Sequence, residues 1–146
     1  MTAVTPAVSS ASLSALPAST LLALARRGLV EASSATTPGE RYAAAHLAAL
    51  RVAAAVLACR ARPVSGPTRR GRPTSAWVLL ATVAPELAEW AEFFAAGATK
   101  RANAEAGLPT AVTAREADDL VRDAEAFLVM VEGSLGLPDS LLLASG

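Results

Sequence analysis

The stretch ERYAAAHLAALRVAAAVLACRA, residues 40–61, decides the fold that we expect for this chain. It is rich in alanine, the strongest helix former, and contains neither glycine nor proline. Steps of 100° per residue place Leu50 and Leu57 near the centre of one face, with Tyr42 and His46 beside them. We therefore predict a long central helix of a bundle, with neighbours packed closely against its small side chains.

The composition narrows the class of protein. At 146 residues the chain is long enough for one domain with a modest core. Hydrophobic residues make up 53%, with much alanine, and aromatic residues only 4%, so we expect helices that approach closely. The formal net charge of zero argues neither for nor against a nucleic-acid partner. One cysteine excludes an internal disulfide framework and fits a reducing compartment.

The start of the chain predicts neither export nor membrane insertion. Residues 1–16 are mostly Ser, Thr and Ala, and they predict a disordered tail without the basic start and apolar core of a signal peptide. Charged residues or His46 interrupt each long apolar run before it reaches about 20 residues, the length that spans a bilayer. We therefore expect a cytoplasmic protein without membrane contact.

Periodicity and capping residues predict three further helices. The first covers about residues 17–33, before the central helix begins at Glu40. Another begins at Ser75, a suitable N-cap, and its apolar stripe continues through Pro85, which predicts a kink or a split. The capping box T-x-x-E at residues 113–116 opens the last helix, which has an unbroken apolar stripe at helical spacing.

These features predict an all-α protein, an antiparallel four-helix bundle. We place the bundle at residues 17–132, with a basic loop at residues 62–74. Gly133 is expected to end the last helix, and residues 133–146 form a C-terminal tail. No alternation of apolar and polar residues indicates a strand.

One pair on the central helix is a candidate for chemistry. Arg41 and His46 have the spacing R-x4-H. A histidine titrates near neutral pH and can act as general acid or base, and the planar arginine fork binds phosphate. Five residues turn an ideal helix by about 500°, so these side chains start about 140° apart. The structural alternative is a half-buried His46 beside Tyr42 and Leu50, with Arg41 as a solvated charge in the first turn.

Three segments together resemble one protein family. They are RYAAAHLAALRVAAAVLA at 41–58, SAWVLLATVAPELAEWAEFFAAGATKRANAEAG at 75–107 and TAREADDLVRDAEAFLVMVE at 113–132. With the basic linker between the first two, they resemble the actinobacterial SAV_6107-like HEPN family over roughly residues 20–132. The resemblance implies an α-helical HEPN bundle, often dimeric, from a class associated with RNA processing, toxin–antitoxin or stress systems.

The resemblance also bears on catalysis. In ribonucleases among the HEPN proteins, the motif R-x4–6-H supplies a histidine that acts on the ribose 2′-hydroxyl or the leaving oxygen. Catalytic members tend to carry the motif nearer the final helix, whereas Arg41 opens the second helix here. The H-x-Y extension of one toxin group is also missing, because Leu47 and Ala48 follow His46. We therefore expect a non-catalytic protein.

The linker after the central helix is the one part of the chain with a strong excess of charge of a single sign. From Arg60 to Arg72 there are five arginines and no acidic residue. Its sequence RGRP, residues 70–73, matches the core of an AT-hook, which places arginines in a narrow A·T minor groove. Candidate nucleic-acid-binding residues are therefore Arg69, Arg70 and Arg72. The alternative is an ordinary solvated loop.

The sequence offers no metal site and no cofactor motif. Acidic residues occur in two groups, around Glu89 and around Asp119, but bundle metal sites pair them with Glu-x-x-His repeats, and one histidine cannot supply these. Solvated helix faces explain both groups. Cys59 is predicted to be a small core residue.

We therefore expect a HEPN-like homodimer. Its expected role is that of a non-catalytic accessory protein associated with RNA or another nucleic acid, or with a stress or toxin–antitoxin system. The alternative is a metal-independent endoribonuclease that uses Arg41 and His46. A third function, an accessory partner of another protein without nucleic-acid contact, stays open.

Overall fold

The computed structural model describes residues 16–60, 75–108 and 112–136, which are helical and contain no strand. The first two helices are α1 (Ala18–Ser34) and α2 (Pro38–Arg60). They pack closely, because a β-carbon added at Gly28 of α1 would lie 3.6 Å from the Ala48 Cβ of α2. Most of the predicted tails and the whole basic loop, residues 62–74, lie outside the described residues.

The third predicted helix is divided into shorter pieces. Ser75 caps it as predicted, because its hydroxyl accepts a hydrogen bond from the backbone N–H of Trp77 over 3.1 Å. The predicted split at Pro85 is confirmed, and a second break occurs at Gly97. The pieces are α3 (Ala76–Val83), a 3₁₀ turn (Pro85–Leu87), α4 (Ala88–Ala96) and α5 (Ala98–Glu105).

The last helix, α6 (Ala114–Leu135), has the predicted capping box at its start. Thr113 and Glu116 exchange hydrogen bonds between side chain and backbone at 2.9 and 3.0 Å. The helix does not end at Gly133, because a glycine inside a helix costs only about 1 kcal/mol. It ends at Gly136, whose φ of 67° is the left-handed conformation that glycine adopts at little cost.

Contacts between the helices set their directions. The start of α2 lies beside the start of α6, where Arg41 and Asp118 form an ion pair. α3 starts near the start of α2, where Trp77 meets His46, and leads to the Arg60–Glu86 ion pair at the other end of α2, so it runs in the same direction as α2. From there α4 and α5 return along α2 in the opposite direction, to the approach of Gly39 and Ala104. The α4–α5 path is therefore antiparallel to α2, and α6, which starts at the same end as α2, is antiparallel to that path, as neighbouring helices are in an antiparallel bundle.

Aromatic rings from the later helices fill the core against the small side chains of α2. The rings of Phe94 and Phe127 have centroids 5.2 Å apart, and Trp77 stacks on Phe94 at the same separation. The fully buried positions of α2 are mainly small: Ala45, Ala48, Ala49, Val52, Ala53, Ala55 and Val56. Small residues let the bulky rings approach the α2 backbone, which explains how a chain with few aromatic residues closes its core.

The buried face of α2 is not the one centred on Leu50 and Leu57. Leu50 and Leu57 are only partly buried, and Leu47 is 38% exposed, so the leucines mark the outer side of the helix. Cys59 is exposed rather than part of the core, since it lies in the last turn of α2.

By length and composition alone, α2 could cross a membrane, with a mean hydropathy of 1.6 over its most apolar window. Half of that window is buried inside the bundle, and a buried core helix meets the same criterion. This is weak evidence for a membrane span.

Candidate functional site

The imidazole of His46 lies inside the bundle, on the third turn of α2. The residue is 1% exposed. Its ring meets Trp77 of α3 and Phe94 of α4 edge to face, with centroids 5.9 and 6.3 Å away. His46 Nε2 lies 2.9 Å from the backbone carbonyl oxygen of Phe94. Since a carbonyl can only accept a hydrogen bond, Nε2 carries a proton and donates it.

The break between α4 and α5 brings the Phe94 carbonyl within reach of this histidine. The backbone N–H of Gly97 also donates to that oxygen, over 3.0 Å, and α5 begins at the next residue. A β-carbon added at Gly97 would lie only 2.6 Å from Tyr42 Oη and 3.7 Å from His46 Cδ2. Tyr42 and His46, one turn apart on α2, therefore both pack against the α4–α5 junction.

Burial controls the protonation of this pair. It lowers the pKa of His46 below the ordinary 6.5, and the nearby positive charge of Arg101 lowers it further, while the Phe94 carbonyl and Glu105 oppose the change. His46 Nδ1 is buried and has no hydrogen-bond partner among the described residues. Burial also raises the pKa of Tyr42 above 10.0. Both side chains are therefore neutral at pH 7.

Arg41 is directed elsewhere. Its guanidinium donates to Asp118 Oδ1 over 2.7 Å and to the backbone carbonyl oxygen of Ala35 over 3.0 Å. The second bond satisfies a carbonyl just after the end of α1, and the first connects α2 to α6. Neither bond involves His46, so the described contacts do not bring the two residues of the R-x4-H pair together.

The surface around this end of the bundle is charge-balanced. Lys100 of α5 pairs with Glu116 of α6 over 2.7 Å, and Arg101 pairs with Glu105 over 3.1 Å. Together with the Arg41 pair, each cation here has a carboxylate partner. An anionic ligand would therefore have to displace an existing partner from any of these cations.

Other predicted site residues give less information. Arg69, Arg70 and Arg72 lie outside the described residues. Arg60, at the end of α2, forms an ion pair with Glu86 in the 3₁₀ turn. Among the described residues, no group of three or more His, Cys, Asp or Glu side chains could hold a metal ion.

Sequence reasoning missed the roles of Phe94 and Gly97. Every residue has a backbone carbonyl, so the sequence does not reveal which one accepts the hydrogen bond from His46. Nor does the sequence show which glycine lies close to another helix. One signal was present: Tyr42 and His46 are spaced i, i+4, which places them on one face of a helix. A glycine within the otherwise helical AAGAT at residues 95–99 was the matching sign of a break.

Comparisons with known proteins agree with this architecture. The family model described as SAV_6107-like HEPN matches residues 32–132, which include α2 through most of α6. No curated protein matches the chain, and no solved structure does.

Proposed function

The chain belongs to the SAV_6107-like HEPN family, and on that premise we propose that it is an accessory protein that binds RNA without cleaving it. The alternative is the metal-independent endoribonuclease that Arg41 and His46 would form. The two functions differ in what they require of His46. A nuclease needs its imidazole beside a ribose hydroxyl, whereas an RNA-binding protein needs only a folded bundle and an exposed cationic surface.

The enclosure of His46 is the observation that carries the non-catalytic proposal. A general base must come within about 3 Å of the proton that it removes. His46 is 1% exposed, its Nε2 proton is donated to Phe94, and Nδ1 is buried. Reaching an RNA hydroxyl would require α4 to move away from α2. Arg41 would also have to leave Asp118 before it could hold a phosphate.

The distribution of arginines supports an RNA-binding role. Arg69, Arg70 and Arg72 stand in a segment without acidic residues, and each can offer a cation to a phosphate. Most cations on the described surface already have carboxylate partners, in seven ion pairs. The segment is therefore the favoured region for backbone phosphates to bind.

Cleavage is tested with a structured RNA in a buffer containing EDTA, followed on a denaturing gel. The wild-type chain and the variants Arg41→Ala and His46→Gln are compared, with circular dichroism to verify that each is folded. We expect no cleavage above the protein-free control. Cleavage by the wild type that disappears in both folded variants would establish the nuclease and overturn the non-catalytic proposal.

Binding is tested by fluorescence anisotropy with a single-stranded RNA over a range of salt concentrations. Replacing Arg69, Arg70 and Arg72 with alanine should weaken binding and reduce the salt dependence by about two units of slope, at roughly 0.7 per phosphate contact. The matched control replaces three exposed arginines elsewhere, Arg27, Arg115 and Arg122. Equal losses in both triple variants would mean that net charge alone explains the binding.

We also propose that the protein is a homodimer, and the outer side of α2 supports this. Between Ala43 and Ala58 this side carries apolar residues within an arc of about 100°. Leu47 is 38% exposed, while Leu50 and Leu57 are partly exposed. An apolar stripe of this kind is typical of a protein interface.

Sedimentation velocity tests the dimer. Leu47→Glu places a charge in the middle of the stripe and should convert a dimer to a monomer. Val30→Glu is the control, because Val30 is 66% exposed on α1, outside the stripe. A wild-type chain that is monomeric at all concentrations measured, or a dimer that both variants retain, would exclude this interface.

A further inference from the structure

An acidic and aromatic groove lies on the side of the bundle formed by α4 and α6. It has a volume of about 340 Å³ and is lined by Glu89, Trp90 and Phe93 of α4 and by Asp123 of α6. Phe93 is 46% exposed, although the adjacent Phe94 is 1% exposed. The groove therefore presents two carboxylates and two aromatic rings to the same small volume.

The core holds the aromatic part of the groove in place. The Trp90 ring stacks on Phe94 and Phe127, with centroids 5.8 and 5.2 Å away and interplanar angles of 14° and 27°. Phe93 meets Phe94 edge to face at 5.0 Å. Since both Phe94 and Phe127 are fully buried, their stacking holds the Trp90 ring in place, and a ligand would meet a preformed surface there.

The carboxylates of the groove are Glu89 and Asp123. Among the described residues, neither Glu89 nor Asp123 takes part in an ion pair, although seven other pairs form. Burial and the negative charge of Asp119 raise the pKa of Asp123, and Arg122 only partly opposes them. Arg122 itself bonds to Asp119. A cation placed in the groove would relieve this excess of negative charge.

The chemistry of the groove fits a guanidinium group. A planar arginine side chain can stack on an aromatic ring and donate to carboxylates through the edge of its fork. An ammonium group cannot stack in the same way, and an anion would meet two negative charges. The occupant with the best chemical match is therefore an arginine.

The chain itself supplies arginines next to this groove. The segment ARPVSGPTRRGRPT, residues 61–74, contains four arginines and no acidic residue. It starts directly after Arg60, which is paired with Glu86, and Glu86 precedes Glu89 by one helical turn. The Cα of Arg62 can lie at most about 7 Å from that of Arg60. The segment therefore begins two residues or fewer from a side chain that pairs one turn before Glu89.

The other end of the segment leads to the same side of the molecule. Ser75, directly after the segment, caps α3. A second groove of about 260 Å³ lies between α3 and α4 and shares Glu89 with the first. The segment therefore follows a residue that pairs with Glu86, one turn before Glu89, and precedes a helix that lines a groove with Glu89.

We propose that arginines of residues 61–74 bind this acidic and aromatic groove within the same chain. Binding there neutralises Glu89 and Asp123 and covers the exposed ring of Phe93. If the segment also binds RNA, as proposed above, groove and RNA compete for the same side chains. That consequence rests on the proposed function, whereas binding to the groove does not.

The direct test separates the segment from the groove. In the full-length chain Arg62, Arg69, Arg70 and Arg72 are replaced with alanine, and a synthetic peptide with the sequence of residues 61–74 is added. Nuclear magnetic resonance of the two tryptophan indole N–H groups reports the result, because Trp90 lines the groove and Trp77 is 5% exposed. We expect a saturable shift of the Trp90 signal and a smaller one at Trp77.

The matched acidic variants decide whether the groove is the site. Glu89→Gln with Asp123→Asn should weaken peptide binding about tenfold, as expected from the loss of two partly exposed charge contacts. Glu31→Gln with Glu125→Gln removes the same charge from exposed sites elsewhere and should leave binding within twofold. Equal weakening in both pairs, or no saturable shift at all, would overturn the proposal.

Two further outcomes distinguish binding by the segment from binding by a second copy, and the groove from the RNA-binding role. A Trp90 signal that changes with protein concentration in the absence of peptide would show that a second copy occupies the groove, and would overturn the proposal. Because no RNA is present, the peptide result is independent of the proposed function. A saturable, groove-dependent shift in a protein that fails to bind RNA would support the groove and refute only the RNA-binding role.

Discussion

His46 of α2 donates a hydrogen bond from Nε2 to the backbone carbonyl oxygen of Phe94, 2.9 Å away, at the point where α4 gives way to α5. This bond connects α2, the central helix of the bundle, to the break between α4 and α5. A histidine that could be taken for a catalytic group is therefore part of the packing. Its energetic role can be measured directly.

His46→Ala should destabilise the fold by about 2–4 kcal/mol, because it leaves a cavity among aromatic rings and an acceptor with one partner fewer. Urea denaturation followed by circular dichroism measures the change. Leu47→Ala is the control on the adjacent, 38% exposed position and should change stability by less than about 1 kcal/mol. A His46→Ala variant as stable as the control would mean that the bond and the ring contribute nothing to stability.

The depressed pKa of His46 predicts a loss of stability in mild acid. Burial places the folded-state pKa below 6.5, so the unfolded chain binds the proton first as the pH falls. The contribution of the neutral, buried ring is complete above pH 6.5 and is lost as the pH falls from there toward the folded-state pKa. The slope in that window should reach at most about 1.4 kcal/mol per pH unit for one proton.

Urea denaturation of the wild type and His46→Gln between pH 7.5 and pH 5 isolates this effect. The glutamine variant keeps a polar donor but does not titrate, so its stability should fall less over the window. Parallel pH profiles for the two proteins would show that the proton binds His46 equally in the folded and unfolded states.

Gly97→Ala should be among the most destabilising single changes at the α4–α5 junction. The added methyl group would lie 2.6 Å from Tyr42 Oη, well inside contact distance, so the ring or the junction must shift. We expect a cost of about 1–3 kcal/mol, as for other overpacked sites. Tyr42→Phe removes the clashing oxygen, so Gly97→Ala should cost less in that background.

Gly133→Ala is the matched control for this change. Gly133 lies inside α6, and a β-carbon there would meet no atom within 4 Å. Alanine should therefore stabilise the helix by up to about 1 kcal/mol. Thermal denaturation of the two variants should move in opposite directions, and a destabilised Gly133→Ala would argue against this interpretation of both glycines.

Much of the fold follows from local signals in the sequence. The capping box at Thr113, the N-cap at Ser75 and the split at Pro85 each depend on a few neighbouring residues, and all three are confirmed. Gly133 and Gly136 are separated by only a few residues, and periodicity could not tell which one takes the left-handed conformation that ends α6. Local chemistry thus predicts where helices begin better than where they stop.

The buried face of α2 could not be derived from α2 alone. Helical periodicity places Leu50 at the centre of one face, but Ala49 and Val52 are the fully buried residues, in the same core as rings from α3, α4 and α6. The environment of His46 has the same origin, because Phe94 and Trp77 come from distant parts of the sequence. The R-x4-H spacing identified the residues, whereas their contacts depend on how the other helices pack.

An ion pair connects α1 to the end of α6. Arg26 forms an ion pair with Glu132, whose side chain is only 8% exposed, while that of Arg26 is 45% exposed. Removing the arginine would leave a nearly buried carboxylate without its cation. Arg26→Ala should therefore cost about 2–4 kcal/mol, somewhat less than for a fully buried pair, because water can reach the arginine side.

Arg27→Ala is the natural control, since Arg27 is the adjacent exposed arginine on α1. It should change stability by less than about 0.5 kcal/mol. Glu132→Gln removes the buried charge, so Arg26→Ala should cost much less in that background, and urea denaturation of the four combinations measures the coupling. If Arg26→Ala and Arg27→Ala prove equally mild, Glu132 must be solvated well enough to do without its partner, and α1 is held to α6 by apolar packing alone.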